Sequence, residues 1–447
     1  MIVVIGAGPA GLAAALAAAQ SEHEVVVIDS APRIGGQYWR HQREVVGYKA
    51  ERARELFIKV QDNKNISIIS KSSVWSADKV GDDYRINYIR NGEEKFLVSE
   101  KIILATGAYD RSLPFPGWDK PGVMTPGAAQ ALLKGQGVVA GKRIIVAGSG
   151  PFLLPVATGL AQAGAEIVGL LEAQSPLRWL LSPFAIIGNS AKILELIHYR
   201  NLLRKYSIPI TFGKTVTGFS EGIATISKVN SKLIPRLRDY EEISCDVVAV
   251  GWGFQPDMTV GGILGCAQSI DDDGNTIFTV DNYQRASQKN IWIAGEATGI
   301  GGADLALLEG EIAGLSATGQ QISSVLLRRL SSKKRFASAL KKSYPVASGW
   351  TQWMDSETVI CRCEEVKAEE VAAAVAELGA EDSRGTKLFT RCGMGLCQGR
   401  VCSRNVSEYV AQLTNTQISK EERISYSNRP IATPISLGLL ADGKSNH

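Results

Sequence analysis

Met1-Ile-Val-Val-Ile-Gly6-Ala-Gly8-Pro-Ala-Gly11 opens the chain, and its reading decides the fold class. Ile2 to Ile5 is a short continuous apolar run, the pattern of a parallel strand buried on both faces. After the glycines, Leu12-Ala-Ala-Ala-Leu-Ala-Ala-Ala is a strong helix former. Val25-Val-Val-Ile28 is the next strand and ends at Asp29, which completes a βαβ unit. Each glycine has its own mechanical role. Gly6 makes the tight turn, Gly8 allows close approach of a pyrophosphate, and Gly11 permits helix–strand packing. The phosphate then meets the free N–H groups of the helix start. A glycine fingerprint can also be a structural turn, but its place between a strand and a helix, with an acid at the end, favours a bound dinucleotide. Gly6, Gly8, Pro9, Ala10, Gly11, Asp29 and Ser30 are therefore candidate contacts, with Asp29 set to accept from a ribose.

A second unit begins in the middle of the chain. Arg143-Ile-Ile-Val-Ala147 is a strand, Gly148-Ser-Gly150-Pro-Phe-Leu153 the turn, Leu154 to Ala163 a helix, and Glu166 to Leu171 a strand ending at Glu172. The third glycine is missing, since Leu153 stands in its place, although Glu172 occupies the position of a ribose-binding acid. The following run, Pro176-Leu-Arg-Trp179 to Ile187, is apolar with two prolines. It reads as an ordinary core segment, a filler of the nicotinamide groove or a partner-facing patch. The first fold resumes near Ile291-Trp-Ile-Ala-Gly295-Glu296. These signals divide the chain into a first nucleotide domain at 1–118 and 285–330 and an inserted, degenerate one at 119–284. A basic linker at 331–355, a cysteine module at 356–415 and a tail at 416–447 follow.

At 447 residues the chain is too long for one core. Its net charge of +4 is small for that length and argues against a dedicated nucleic-acid binder. The chain enters an apolar strand at Ile2 with no basic leader, and that apolar stretch, broken by glycines and Pro9, is not a membrane span. Five of the seven cysteines lie in the last third, in Cys361-Arg-Cys363 and Cys392-Gly-Met-Gly-Leu-Cys397-Gln-Gly-Arg-Val-Cys402. A secreted disulfide protein would spread an even set along its length, so a reducing cytoplasm with thiols free for metal is expected. Thiolates gathered from a close pair and a later group suit an iron–sulfur cluster. They suit structural zinc equally; the dinucleotide site on the same chain favours iron. Cys245 and Cys266 are isolated and read as buried small apolar residues. With no Cys-x4-Cys after Gly36 and no Cys-x-x-Cys in the inserted domain, dithiol exchange is excluded. None of the four histidines forms a triad or metal set. The basic run Lys333 to Lys342 reads as a solvated helix face, and Asp110 and Arg111 are further candidates for holding the nucleotide.

Three stretches resemble flavoproteins related to glutathione reductase. Pro32-Arg-Ile-Gly35-Gly36-Gln37 resembles their double-glycine stretch, Leu104-Ala-Thr106-Gly107 their second glycine turn, and Ile293-Ala-Gly295-Glu296-Ala297 the late motif whose acid contacts the ribityl chain. That acid is usually Asp in the family and is Glu296 here. The resemblance implies FAD, an α/β fold with two Rossmann-like domains of the glutathione/thioredoxin reductase type, and contacts at Gly36, Gln37, Ala105, Thr106, Gly107, Gly295 and Glu296. The cysteine run resembles the small, mostly helical [2Fe–2S] domain of bacterioferritin-associated ferredoxin. Similar Cys-Gln-Gly-x-x-Cys endings occur in anaerobic glycerol-3-phosphate dehydrogenases, where the residue matching Cys392 is usually not cysteine. That resemblance assigns Cys361, Cys363, Cys397 and Cys402 as ligands and leaves Cys392 as a spare or substitute.

As a whole the chain resembles the nucleotide-binding subunit of multi-subunit amine and imino-acid dehydrogenases. These include opine oxidases, D-hydroxyproline dehydrogenase, hydrogen cyanide synthase and, more distantly, heterotetrameric sarcosine oxidase. The resemblance extends to the ending Arg429-Pro-Ile-Ala-Thr-Pro434. It implies substrate oxidation on a D-amino-acid-oxidase-like flavin subunit, with FMN at the subunit boundary and one-electron exit over the cluster. A small ferredoxin-like subunit is a further implied partner. No acid–base pair or carboxylate clamp for a substrate stands out in this chain, which agrees with that division of labour. The alternatives are a self-contained NAD(P)H-dependent flavin oxidoreductase, a glycine-oxidising subunit of the cyanide synthase type, and a scaffold whose cofactors are structural.

Overall fold

The computed structural model describes residues 1–21, 23–44, 50–181, 190–426 and 428–442. The chain forms two compact units, Met1–Tyr109 with Gln255–Ala337 and Ser427–His447, and Asp110–Phe254 with Ser338–Tyr426.

The first unit is built on a five-stranded parallel sheet in the order Ile291–Ile293, Lys101–Leu104, Ile2–Ile5, Val25–Ile28, Ile66–Ile69. Ile2 pairs with both Val25 and Lys101, so the opening strand is central and all four of its residues are buried. Burying a side chain of this size contributes roughly 1.5–3 kcal/mol. Ile2 and Val4 pack with the alanine-rich helix Pro9–Ala18, and Val3 and Ile5 pack with an antiparallel meander. Helix Ala303–Ala317 crosses Pro9–Ala18 in backbone contact: a Cβ on Gly310 would lie 2.0 Å from the Ala10 oxygen, and one on Gly314 2.3 Å from that of Ala14. The meander comprises Ser72–Val80, Asp83–Arg90 and Glu93–Ser99, with Tyr84, Ile86 and Tyr88 alternating inward.

The second unit repeats the plan. Its parallel sheet runs Ile210–Phe212, Glu166–Glu172, Arg143–Gly148, Val247–Gly251, Val123–Met124, and its meander is Lys214–Ser220, Ile223–Val229, Pro235–Ser244. The cysteine module belongs to this unit. It has a short hairpin, Val359–Cys361 with Val366–Lys367, and three helices, Ala368–Ala376, Ser383–Thr390 and Ser403–Leu413. Trp350 and Trp353, just before it, are buried in the core that contains Trp252 and Val250.

The observed division corrects the boundaries expected from sequence. Residues 255–284 belong to the first unit, because Met258, Val260, Cys266 and Phe278 share a core with Val3, Ile102 and Ile291. Leu113, Phe115 and Trp118 instead fill the core of the second unit, which moves that boundary from 118 to 109. The first part of the expected linker, 331–343, continues the helix Ser324–Ser343, with Ala337 and Ala339 buried. Within the tail, the Ala432 N–H donates to the Trp75 carbonyl oxygen at 2.6 Å. No helix among the described residues is long and apolar enough to cross a membrane.

Candidate cofactor sites

The first glycine turn is formed by close backbone approaches. Gly6 has φ +105°, and a Cβ there would lie 2.3 Å from the Ala105 oxygen. A Cβ on Gly11 would lie 1.8 Å from the Gly6 oxygen, so the helix start can sit on the strand end only with glycine there. Gly36, at φ +59°, brings the double-glycine stretch against Gly8, where an added Cβ would meet the Gly8 Cα at 2.8 Å. The Gly35 N–H donates to the Ala7 oxygen at 2.8 Å. Gly295 brings the late motif to Ala10: its Cβ would be 2.9 Å from that of Ala10. Ala105 N–H donates to Ile5 at 2.9 Å and sets Thr106 and Gly107 beyond the sheet. Stretches read separately in the sequence thus converge on Pro9 and the helix start. Gly8 is different from Gly6 and Gly11. Its φ of −77° is open to any residue, and an added Cβ meets only the Gly36 Cα, at 3.9 Å. The fold does not need glycine there, whereas a ligand lying on the turn does.

Asp29 is the clamp of this turn. Its carboxylate accepts from Ala7 N–H at 2.5 Å and Ala31 N–H at 2.7 Å. Burial raises its pKa, and the two amides pull the other way. Ser30 beside it is exposed. Gln37 accepts from Arg40 at 2.8 Å, and Thr106 donates its hydroxyl to the Asp257 oxygen at 2.8 Å. Glu296 accepts from Gly301 and Gly302 N–H at 3.1 and 2.9 Å, so its longer side chain folds back onto its own loop. Asp110 accepts from Thr125 at 2.5 Å, and Arg111 turns to Glu408 at 3.1 Å. Both residues thus make these contacts inside the second unit.

The sequence reading missed Glu309. It shares the buried face of its helix with Leu305, Leu308 and Ile312, at the three- and four-residue spacing that marks one face. Its carboxyl accepts from Gly295 N–H and the Thr298 hydroxyl, both at 2.9 Å, and so fixes the late motif. Burial pushes its pKa up to about 7. A folded-state pKa above the ordinary 4.5 means the native state holds the extra proton, so stability falls as pH rises from about 4.5 through about 7. Glu309→Gln is expected to flatten part of that fall, measured as the change in unfolding midpoint between about pH 5 and about pH 8.

The second turn repeats the close approach of its first glycine but differs at its second, where Gly150 has φ +109° against −77° at Gly8. Gly148 has φ +130°, with an added Cβ 1.7 Å from the Gly251 oxygen. Leu153 is buried where the third glycine would stand. Glu172 accepts from Gly150 N–H at 2.8 Å and Gln174 N–H at 2.9 Å, and burial lifts it to about 7. Gln174 donates to the Pro345 oxygen at 2.9 Å, and Trp179 to the Tyr344 hydroxyl at 3.1 Å. Phe152 packs edge-on against Phe254 at 5.0 Å. Glu172, Gln174, Trp179 and Phe152 are thus all engaged by partners within this unit, while a Cβ on Gly150 would meet nothing within 4 Å. The remainder of the apolar run, 182–189, lies outside the described residues.

In the cysteine module the Sγ atoms of Cys361, Cys392 and Cys402 lie within 4.8 Å of one another, all buried. Cys363 and Cys397 are in mutual contact, and Cys397 also contacts Cys402, so five thiols meet. Cys363 is exposed and Cys397 partly so. Of the five, Cys402 caps a helix N-terminus, Ser403–Leu413; Cys361 ends a strand and Cys392 follows the C-terminus of Ser383–Thr390. Thiol donation from Cys392 and Cys402 holds Cys361 down at about 2, and donation from Cys402 holds Cys397 at about 5. Sulfurs with thiolate character in a buried nest fit a metal cluster. Cys245 and Cys266, by contrast, are pushed up by burial to about 11 and about 12, as inert packing residues would be.

Residues 1–310 match the family model for pyridine nucleotide-disulphide oxidoreductase, and residues 359–412 that for the BFD-like [2Fe-2S] binding domain. An opine oxidase subunit of Agrobacterium tumefaciens (strain Ach5) is 30% identical over 98% of this chain and 91% of its own length. Hydrogen cyanide synthase subunit HcnB of Pseudomonas aeruginosa is 30% identical over 92% of this chain and 93% of its own. Among solved structures, L-proline dehydrogenase from P. horikoshii superposes with a TM-score of 0.67 at 22% identity, over 98% of this chain and 78% of that one.

Proposed function

We propose that this chain, which belongs to the pyridine nucleotide-disulphide oxidoreductase family and takes FAD and a [2Fe–2S] cluster as cofactors, is the electron-transferring subunit of a hetero-oligomeric dehydrogenase. Its complex oxidises a carbon–nitrogen bond of an amino or imino acid of the opine or D-hydroxyproline type. One observation carries this reading: a glycine cradle open at Gly8 and a nest of thiols stand on one polypeptide. Bound FAD supplies two-electron chemistry and a bound cluster one-electron chemistry.

The chain's own acids point to a partner for the substrate step. Asp29, Glu172, Glu296 and Glu309 all spend their carboxylates on this chain's own backbone N–H groups. A D-amino-acid-oxidase-like flavin subunit is the partner this division of labour calls for, with FMN at their boundary. The further member is a small ferredoxin-like subunit. Leu153 in place of the third glycine and a Glu172 engaged by its own backbone support a second turn that has lost its nucleotide, and with it weigh against a self-contained NAD(P)H enzyme. Glycine oxidation of the cyanide synthase type is the second reading, favoured by a similarity to HcnB as high as that to the Agrobacterium opine oxidase chain.

Expressed alone and supplied with an artificial dye, the chain is expected to show no turnover of opines, D-hydroxyproline or glycine. Adding the partner subunit is expected to restore turnover with one substrate class, which selects between the two readings. Full turnover by the lone chain would refute the division of labour.

A further inference from the structure

Four thiolates complete a [2Fe–2S] cluster, and five thiols meet in this module. The surplus is at the buried end. Cys361, Cys392 and Cys402 are 0%, 4% and 1% exposed, and the Cys361 sulfur is in contact with both of the others. Both Cys392 and Cys402 are thus within reach of Cys361, and Cys402 meets Cys397 as well.

The loops are shaped to bring them there. Arg391, at φ +65°, ends the helix Ser383–Thr390 in a left-handed turn and delivers Cys392 inward, with its N–H donating to the Thr390 hydroxyl at 3.3 Å. Gly393 follows at φ +84°, and a Cβ on it would meet the Gly399 Cα at 3.6 Å and the Cys402 Sγ at 3.9 Å. The two loops therefore meet glycine on glycine, beside the Ser403 hydroxyl at 3.7 Å from that Cβ, and the Cys392 and Cys402 sulfurs lie within 4.8 Å of each other. A cysteine buried only for packing would need no such approach to a second thiol.

We propose that Cys392 and Cys402 are interchangeable ligands at the buried end of the cluster, so that either one, with Cys361, Cys363 and Cys397, completes the set. This rests on the reading of the module as an iron–sulfur site. The exchange transfers no electrons: the entering thiol gives up its proton, and the departing thiolate takes one up.

The test is anaerobic loading of the full chain with iron(II) and sulfide. Iron and acid-labile sulfide per chain are then measured, with electron paramagnetic resonance on the dithionite-reduced protein. Cys392→Ser and Cys402→Ser are each expected to keep the wild-type iron and sulfide content, the latter with an altered resonance envelope. The double variant Cys392→Ser/Cys402→Ser is expected to lose iron at least about tenfold, the loss that disturbing even a supporting group of a metal site can cause. Far-UV circular dichroism and FAD content report the fold of each variant, and Cys402→Ala repeats the measurement without a buried hydroxyl. A wild type that loads iron and sulfide while the Cys402 variants are as empty as the double overturns the interchange alone. A wild type that takes zinc and no sulfide overturns both the interchange and the redox reading it rests on.

Discussion

Glu408→Ala is expected to destabilise the second unit by about 3–5 kcal/mol, the range measured when one partner of a buried ion pair is removed. The carboxylate is shared three ways: it accepts from Arg111 at 3.1 and 3.3 Å, from Arg404 at 2.8 Å and from the Trp350 indole at 2.8 Å. Arg111 and Arg404 side chains are only 3% and 6% exposed, so their charges would lose that counter-charge with little access to water. Burial by itself would raise the Glu408 pKa, but the two guanidinium groups outweigh it and hold it at about 2. A depressed carboxyl stabilises the fold above the unfolded value of 4.5 and loses that contribution as pH falls toward 2. Urea unfolding should show the loss at neutral pH and a flatter acid limb in the variant. Glu408 and Arg404 lie on the helix that begins at Cys402, so faster iron loss from the variant is the accompanying result. An unchanged midpoint would mean the network is solvated and its charges are not held as the distances indicate.

Gly8→Ala is expected to strip FAD about tenfold or more, equivalent to at least about 1.4 kcal/mol of binding, while the midpoint of the cofactor-free protein stays put. The two halves of that expectation come from different atoms. The backbone at Gly8 tolerates a side chain, since φ is −77° and the nearest neighbour of an added Cβ is 3.9 Å away. The pyrophosphate does not tolerate one, because it must lie on the amides at the helix start. Gly6→Ala provides the contrast, for there the clash is with the Ala105 oxygen and the fold itself should suffer. FAD retained in Gly8→Ala at wild-type content would show that the turn is only structural.

Much of the fold was legible because its signals are local. Ile2–Ile5 and Val25–Ile28 are continuous apolar runs, and the glycines between them fall where a strand must turn into a helix. The meanders were legible in principle too. Asn91-Gly92 and Glu221-Gly222 carry paired positive φ angles, the signature of two-residue hairpin turns, of which Asn-Gly is the strongest sequence signal. Glu309 is marked by an acid on an otherwise apolar helix face. For Glu408 only Arg404, four residues away, was local; its partners Arg111 and Trp350 are far away in the chain.

Sequence alone determined the two nucleotide-type turns, the absence of dithiol exchange motifs and the grouping of thiols near the chain's end, because spacing and residue type act over a few positions. Tertiary structure decided which core the segments 110–118 and 255–284 complete, and that Asp29 and Glu172 brace their own turns. It also decided that the Cys392 sulfur lies beside those of Cys361 and Cys402. Those outcomes depend on which distant surfaces bury one another, and a carboxylate or thiol takes its partners from whatever that burial brings within reach.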